Sequence, residues 1–411
     1  MCQVIITNTT LQNGGDAGIV LAMTQLIQRA WPHATIVGCE DSAPENVTDV
    51  YPDWQLASYV CVLNNSLPLK PVRLLVKGCK LLRLGLLLLL PQRFMIALAP
   101  ADAKFALRRR IGVHIVIGAG GTYLTNRYSY LDKLMNLAVA QIMKQKTVFF
   151  TQSIDRLDGF VGGAFARHVL NRADLILLRD SRSAHNLGSI GVSNPAQHIV
   201  ADCAFALADL TRWQARQYPQ CPKNIAISVR DCSRFQDAAC EAAYRSRVAV
   251  LCTWLVREHG ATITFISTCQ GLPLYRYDDS FVALGIVSSL PADVSPHVAV
   301  DRAYHTPTHL QSRLGEFDLI IATRMHSAIL GLNAGTPVIP IAYEFKTSEL
   351  WRGFGLTTFC LHLSQGVNSW QHTVARVLNA YLEYRDRLAA VTAAAHASAT
   401  NVISLLQRLA I

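Results

Sequence analysis

An arginine and a histidine separated by one residue, Arg324 and His326, stand where an apolar run meets a short helix. The run 318–322 reads as a buried strand. The helix after it is small on its inner face, with Ala328, Gly331, Ala334 and Gly335. A second apolar run, 337–342, ends at Glu344 and Lys346. Ligands of open α/β sheets bind outside the carboxyl ends of the strands. Two neighbouring strands would thus bring a guanidinium, an imidazole and an ammonium to one crevice. Such a set is cationic and able to donate a proton, which suits a small polyanion.

Other strand ends carry polar groups of the same kind. Asn13-Gly14-Gly15-Asp16 follows the first apolar run and opens a helix, with Asp16 expected either to cap it or to line a ligand pocket. Gly118-Ala119-Gly120-Gly121 follows the run 114–117, and the amides of Gly120 and Gly121 are expected to line a crevice. Arg179 ends the run 175–178, where it either reaches the crevice or pairs with Asp180. Asp202 ends another run and reads as an anchor for nearby backbone. Arg230 ends the run 225–229 near an expected switch point of strand order. The chain has no zinc-type Cys/His spacing, no phosphate-binding loop of the Gly-x-x-x-x-Gly-Lys type and no Gly-x-Ser-x-Gly elbow. Without an acidic cluster, no divalent metal is expected.

Positioning these residues requires alternating strands and helices, hence parallel sheets. Strands are expected near 3–7, 34–39, 113–118, 147–152, 174–179 and 198–201, with helices near 16–30, 123–145, 158–173 and 181–190. A second series begins at 225–230 and ends in a helical stretch over 368–410. The polar, proline-bearing segment 209–224 reads as a linker. The expectation is an α/β chain of two Rossmann-like domains facing across a cleft, 1–208 and 225–411. A basic leucine-rich insertion occupies about 70–110.

The composition fits. Of 411 residues, 51% are apolar and 16% charged, which describes a globular chain able to bury two cores. Eleven cysteines without a Cys-x-x-Cys pair read as buried, reduced thiols. No secretory signal pattern opens the chain, and no run of 18 apolar residues suggests a span. The net charge of +10 is concentrated between Lys70 and Arg110, where ten basic residues face one acid, Asp102. That segment reads either as a core helix with a solvated basic face or as an element for peripheral contact with an anionic membrane. No nucleic-acid module accompanies the charge, and no nucleic-acid partner is expected.

Taken in order, the motifs resemble those of the polysaccharide pyruvyl transferase family. They are Asn13-Gly14-Gly15-Asp16, Gly120-Gly121-Thr122-Tyr123-Leu124, Thr151-Gln152-Ser153-Ile154, Arg179-Asp180-x-x-Ser183, Ala201-Asp202-x-Ala204-Phe205, Ser228-Val229-Arg230, Arg324-Met325-His326, and Gly335-Thr336-Pro337 through Tyr343-x-x-Lys346. The resemblance implies a fold like that of two-domain glycosyltransferases. It also implies transfer of pyruvate from phosphoenolpyruvate to two hydroxyls of a sugar, giving a cyclic ketal without redox cofactor or nucleotide. Arg324 and His326 would inherit donor binding and catalysis, with Asp16, Gly120, Gly121, Arg179, Arg230 and Lys346 binding substrate. The acceptor would be a polysaccharide or its lipid-linked precursor, and the site of action the cytoplasm at the inner face of the membrane. The chain departs from the family pattern where Asp155-Arg156 follow Ile154 in place of Gly-Pro, which bears on acceptor choice. The same architecture also admits a nucleotide-sugar glycosyltransferase or a non-catalytic saccharide-binding protein.

Overall fold

A computed structural model of the chain describes residues 2–58, 76, 79, 82–83, 86–87, 90–99, 101–126, 130–157, 159–232, 237–272, 275 and 277–409. The chain divides into two compact units. Unit 1 comprises Met1–Leu11, Met23–Val200 and Val402–Ile411; unit 2 comprises Gln12–Ala22 and Ala201–Asn401.

Unit 1 is built on strands β1 (Gln3–Thr9), β2 (Thr35–Asp41), β3 (Leu56–Ser58), β4 (Ile115–Gly118), β5 (Lys146–Gln152), β6 (Leu175–Leu178) and β7 (Gln197–Ile199). They form one parallel sheet in the order β3-β2-β1-β4-β5-β6-β7. Its helices are α1 (Gly14–Ala30), whose first turns belong to unit 2, α2 (Gln92–Leu98), α3 (Ala101–Arg109), α4 (Tyr130–Ile142), α5 (Phe160–Asn171) and α6 (Ser181–Ser189). The central strands are apolar end to end because helices cover both faces of a parallel sheet; all four residues of β4 and of β6 are buried.

Unit 2 opens with α7 (Leu210–Ala215), β8 (Asn224–Ser228), α8 (Ala238–His259), β9 (Thr262–Phe265), α9 (Asp279–Val287), β10 (Val298–Val300) and α10 (Pro307–Leu314). It continues with β11 (Leu319–Ala322), α11 (Met325–Asn333), β12 (Val338–Ala342), α12 (Phe345–Gly353), β13 (Leu361–His362), α13 (Val367–Asn379) and α14 (Tyr381–Thr400). The strand order β10-β9-β8-β11-β12-β13 repeats the doubly wound pattern, so strand order reverses between β8 and β11. Gly331 explains the small inner face of α11: a Cβ there would lie 2.3 Å from Ile320 Cδ1 on β11.

The expected α/β architecture with two Rossmann-like sheets is present, and the differences have local causes. The segment 209–224, expected as a linker, carries α7 and belongs to unit 2. Its polar residues are spent on that unit: Trp213 Nε1 donates to Leu332 O at 3.1 Å, Arg216 Nη1 to Gly315 O at 2.9 Å and Tyr218 OH to Gly335 O at 2.7 Å. The helix expected from 123 begins at Tyr130 instead. The chain after β4 first runs beside β5, with Ser153 N donating to Gly121 O at 2.9 Å and Asp155 N to Leu124 O at 3.1 Å. The final helical stretch is three helices, the last being Val402–Gln407. Tyr381–Gln407 is long and apolar enough to cross a membrane by length and composition. Its part in unit 2 packs within that unit, where Tyr384 OH donates to Val338 O at 2.6 Å and the His396 ring contacts Phe205 O at 3.0 Å.

Of the basic segment, Lys70, Arg73, Lys77 and Lys80 and part of the leucine run lie outside the described residues, as does Cys61. Arg110 proves not to belong to a solvated face. It is fully buried, with Nε and Nη2 on the Glu40 carboxylate at 3.0 and 2.6 Å and Nη1 on Asn136 O at 2.8 Å. Thr7 Oγ1 donates to the same carboxylate at 2.7 Å. This pair ties β1, β2 and α4 together beneath the sheet. Arg110→Met should destabilise the protein by about 3–5 kcal/mol, because it strands the Glu40 charge in the core. Pairing it with Glu40→Met should restore much of the loss in equilibrium denaturation. A single variant as stable as the parent would show that the pair carries no such role.

Candidate functional site

In unit 2 the switch point brings most of the sequence-singled residues together. Arg230 follows β8, Arg324 follows β11 and immediately precedes α11, and Tyr343, Glu344 and Lys346 follow β12. Arg324 is held by a carboxylate that sequence reasoning missed. Its Nε and Nη2 donate to Asp279 at 2.8 and 2.6 Å, and Asp279 itself is almost fully buried. Asp279 also accepts from Ser267 Oγ; Ser228 Oγ lies 3.4 Å from Ser267 Oγ and donates to Ser327 Oγ at 3.1 Å. The ends of β8, β9 and β11 and the first turns of α9 and α11 thus share one buried polar network. Burial pushes the Asp279 carboxyl above its ordinary range, against the pull of Arg324 and Ser267. Burial alone would lower Arg324; Asp279 overrides it and holds the guanidinium well above its usual value. The sequence signal for Asp279 was faint. Asp278 and Asp279 both look like caps of α9, and Asp278 does that work by accepting from Ser280 N at 2.8 Å.

The cations gather around Tyr343. The Arg230 guanidinium lies 4.1 Å from its ring centroid and the Lys346 ammonium 5.8 Å. Lys346 Nζ is also 3.1 Å from Glu344 Oε2. Burial would raise the Glu344 carboxyl, but Lys346 and Arg230 bring it down to about 2. The site is therefore less positive than the sequence suggested, since Arg324 and Lys346 each carry a carboxylate. Nη1 of Arg324 has no protein partner among the described residues. The thiols nearby are inert: burial pushes Cys232 up to about 12 and Cys269 up to about 11, so neither is a thiolate at neutral pH.

His326, in the first turn of α11, packs against the first turn of α1. A Cβ on Gly15 would lie 2.6 Å from His326 Cβ and 2.7 Å from its Nδ1, and one on Gly14 would lie 2.7 Å from Thr268 O. The two glycines of Asn13-Gly14-Gly15-Asp16 therefore serve close approach: the first lets Gly14 N donate to Thr268 O at 2.8 Å, and the second makes room for the imidazole. The helix is capped by Asn13, whose Oδ1 accepts from Gly15 N at 2.9 Å, and Asp16 lies inside its first turn rather than at the cap. On its other side, His326 Nε2 is 3.5 Å from Asp202 Oδ2. Asp202 is buried and also accepts from Ala204 N at 3.0 Å, so the expected backbone anchor has a second neighbour in His326.

Arg179, Gly120 and Gly121 lie in unit 1, where they meet one another. Arg179 Nη2 donates to Thr122 Oγ1 at 2.8 Å and Nε to Ser153 Oγ at 3.1 Å. Ser153 Oγ donates to Asp180 at 2.9 Å, and Asp180 caps α6 by accepting from Ser183 N at 2.7 Å. Three separate motifs thus converge at the carboxyl ends of β4, β5 and β6. The Gly121 amide donates to Thr151 O at 3.4 Å. Asn8 and Thr151 adopt φ of 67° and 38°, rare for residues with a side chain and a mark of strain concentrated at these strand ends.

The model of the polysaccharide pyruvyl transferase family matches residues 13–344, starting at the Asn-Gly-Gly-Asp motif and ending at Glu344. Amylovoran biosynthesis protein AmsJ of Erwinia amylovora is 26% identical over 252 residues, 59% of this chain and 59% of that protein. Among solved structures, UDP-GlcNAc 2-epimerase of Neisseria meningitidis bound to UDP-GlcNAc aligns over 99% of each chain at 10% identity, with a TM-score of 0.55. HepE of Anabaena in complex with UDP aligns over 100% of this chain and 98% of that one at 12% identity, with a TM-score of 0.54. At such identities these two show a shared fold. By the extent of the family match, this chain belongs to the polysaccharide pyruvyl transferase family.

Proposed function

We propose that the protein transfers the pyruvyl group of phosphoenolpyruvate to two hydroxyls of a saccharide, a polysaccharide or its lipid-linked precursor. The products are a cyclic ketal and phosphate. The observation that carries this reading is the seating of His326 on Gly15, two residues from an arginine fixed at the switch point of unit 2. The Asn-Gly-Gly-Asp motif, more than 300 residues away in the sequence, makes room for the imidazole beside that arginine.

The chemistry follows from those residues. His326 protonates the methylene carbon of the enol, leaving an oxocarbenium-like centre at the neighbouring carbon. One sugar hydroxyl adds there and loses its proton. The bond from that carbon to the bridging oxygen then breaks, and phosphate departs with the oxygen. The second hydroxyl closes the ring and releases the other proton. Asp202 is the imidazole's neighbour at Nε2, 3.5 Å away. Asp279 occupies two nitrogens of Arg324 and thereby fixes Nη1 and the start of α11, a favourable locus for an anion, on the departing phosphate. Arg230 and Lys346 complete the neutralisation of the donor's carboxylate and phosphate. The direct test is incubation with phosphoenolpyruvate and a panel of glycans, following phosphate release and the mass of the glycan. Phosphate release that never accompanies a gain of one pyruvyl group would overturn the proposal.

His326→Ala should lower ketal formation by about 10²–10⁴-fold with the thermal transition unchanged. Near-normal turnover would remove His326 from the mechanism. Gly15→Ala should push the imidazole aside and cost about a hundredfold, the scale of a 1 Å misplacement. Gly18→Ala, whose new methyl would find its nearest neighbour at 3.7 Å, is the matched control and should be tolerated. Equal activities for the two variants would show that His326 does not depend on Gly15. Arg324→Lys should lose donor affinity, turnover or both in saturation kinetics, because an ammonium cannot bind Asp279 and an anion with separate coplanar nitrogens. Unchanged constants would make Arg324 a structural residue.

A further inference from the structure

Seven of the thirteen large hydrophobic side chains exposed among the described residues fall between positions 82 and 111, Leu82, Leu86, Phe94, Leu98 and Phe105 among them. Scattered singly, such residues need no explanation; gathered on one stretch they mark an interaction surface. The stretch hangs on a small core of its own, Leu87, Met95, Ala99 and Leu107 against Val139 of α4. Among the described residues, that core takes in Met95 of α2 and Leu107 of α3 and leaves Phe94, Leu98 and Phe105 outside it. Phe94 and Leu98, four residues apart on α2, are 47% and 57% exposed, and Phe105 on α3 is 61% exposed.

The charge on the same elements is arranged around these side chains. Arg93 lies 4.9 Å from the Phe94 ring and Arg109 5.6 Å from the Phe105 ring. Arg109 is also tethered to Val37 O at 2.9 Å, and Arg110 is withdrawn into the core by Glu40. Arg83, Arg93 and Arg108 remain exposed. Between 70 and 110 the sequence offers one acid, Asp102, against ten basic residues. Aromatic and aliphatic side chains fringed by arginine match the boundary between headgroups and acyl chains of an anionic bilayer.

We infer that this face of unit 1 docks on a membrane leaflet bearing anionic lipid headgroups. The exposed apolar side chains enter the acyl boundary and the arginines bind phosphates. Charge decides between the occupants. A second copy of the chain meeting the same face would set arginine against arginine across a two-fold axis. An uncharged apolar partner would leave the arginines without a counterion. The inference does not rest on pyruvyl transfer and holds or fails apart from it.

Sedimentation of the full chain with vesicles of phosphatidylcholine, with and without phosphatidylglycerol, tests it. Binding is expected only with phosphatidylglycerol and should fall as salt rises, since the Debye length shrinks to about 8 Å at physiological ionic strength. Replacing Arg83, Arg93 and Arg108 by Gln should weaken binding about fivefold per residue, the equivalent of about 1 kcal/mol each. Phe94→Ser, Leu98→Ser and Phe105→Ser combined should abolish it, and unchanged thermal unfolding would confirm that both variants fold. Three results would overturn the inference. One is failure of the wild-type protein to sediment with phosphatidylglycerol vesicles at low salt. Binding to the two vesicle types could be equal. Or the serine variant could convert a dimer to monomers while vesicle binding is nil, making the face a self-association surface.

Discussion

The buried pair of Arg324 and Asp279 is the constraint on which the site in unit 2 depends. A guanidinium taken out of water costs several kcal/mol, and its attraction to a carboxylate repays this only with good geometry and further hydrogen bonds. Here the geometry is bidentate, and Ser267 serves the same carboxylate. Such a pair adds little net stability compared with apolar side chains of similar volume. What it supplies is position: a charge that stays on the guanidinium and cannot swing away from the end of β11. The neighbouring elements follow from it. The approach of α11 to β11, which Gly331 permits, puts His326 two residues beyond the fixed arginine.

The sheet arithmetic explains why the site lies there. Both sheets have the doubly wound order, and in each the strands beside the reversal point carry the polar motifs at their carboxyl ends. In unit 1 the ends of β4, β5 and β6 are knitted by Thr122, Arg179, Ser153 and Asp180, and strained backbone sits at Asn8 and Thr151. In unit 2 they hold Arg230, Arg324, His326 and the Tyr343 cluster. The first turns of α1 belong to unit 2 although the rest of the helix belongs to unit 1, which is how a motif near residue 14 comes to touch residue 326.

The architecture was legible because buried parallel strands are apolar along their whole length and their ends are punctuated by Gly, Asp and Arg. The same punctuation exposed Arg230, Arg324, His326 and the Asn-Gly-Gly-Asp motif. What escaped was pairing. Sequence shows Arg324 and Lys346 as cations but not that Asp279 and Glu344 neutralise them, because the partner of Arg324 lies 45 residues away on another helix. Arg110 looked like one of a basic run, and only its distant partner Glu40 takes it into the core. The path of the chain beside β5 after β4 was not visible in the sequence, because it rests on a bridge from Gly121 to Gln152, 31 residues on. The segment 209–224 has the composition of a linker, yet Trp213 and Arg216 tie it to unit 2.

The central claim is that the carbon of phosphoenolpyruvate bearing the phosphate becomes the ketal carbon, so that the bond to the bridging oxygen breaks on the carbon side. Phosphoenolpyruvate carrying a heavy-oxygen label at the bridging position tests this directly, with the purified protein and a saccharide acceptor. The account predicts that all of the label leaves in the released phosphate while the saccharide gains one pyruvyl group. Label retained in free pyruvate, with an unchanged saccharide, would mean cleavage on the phosphorus side and would contradict it.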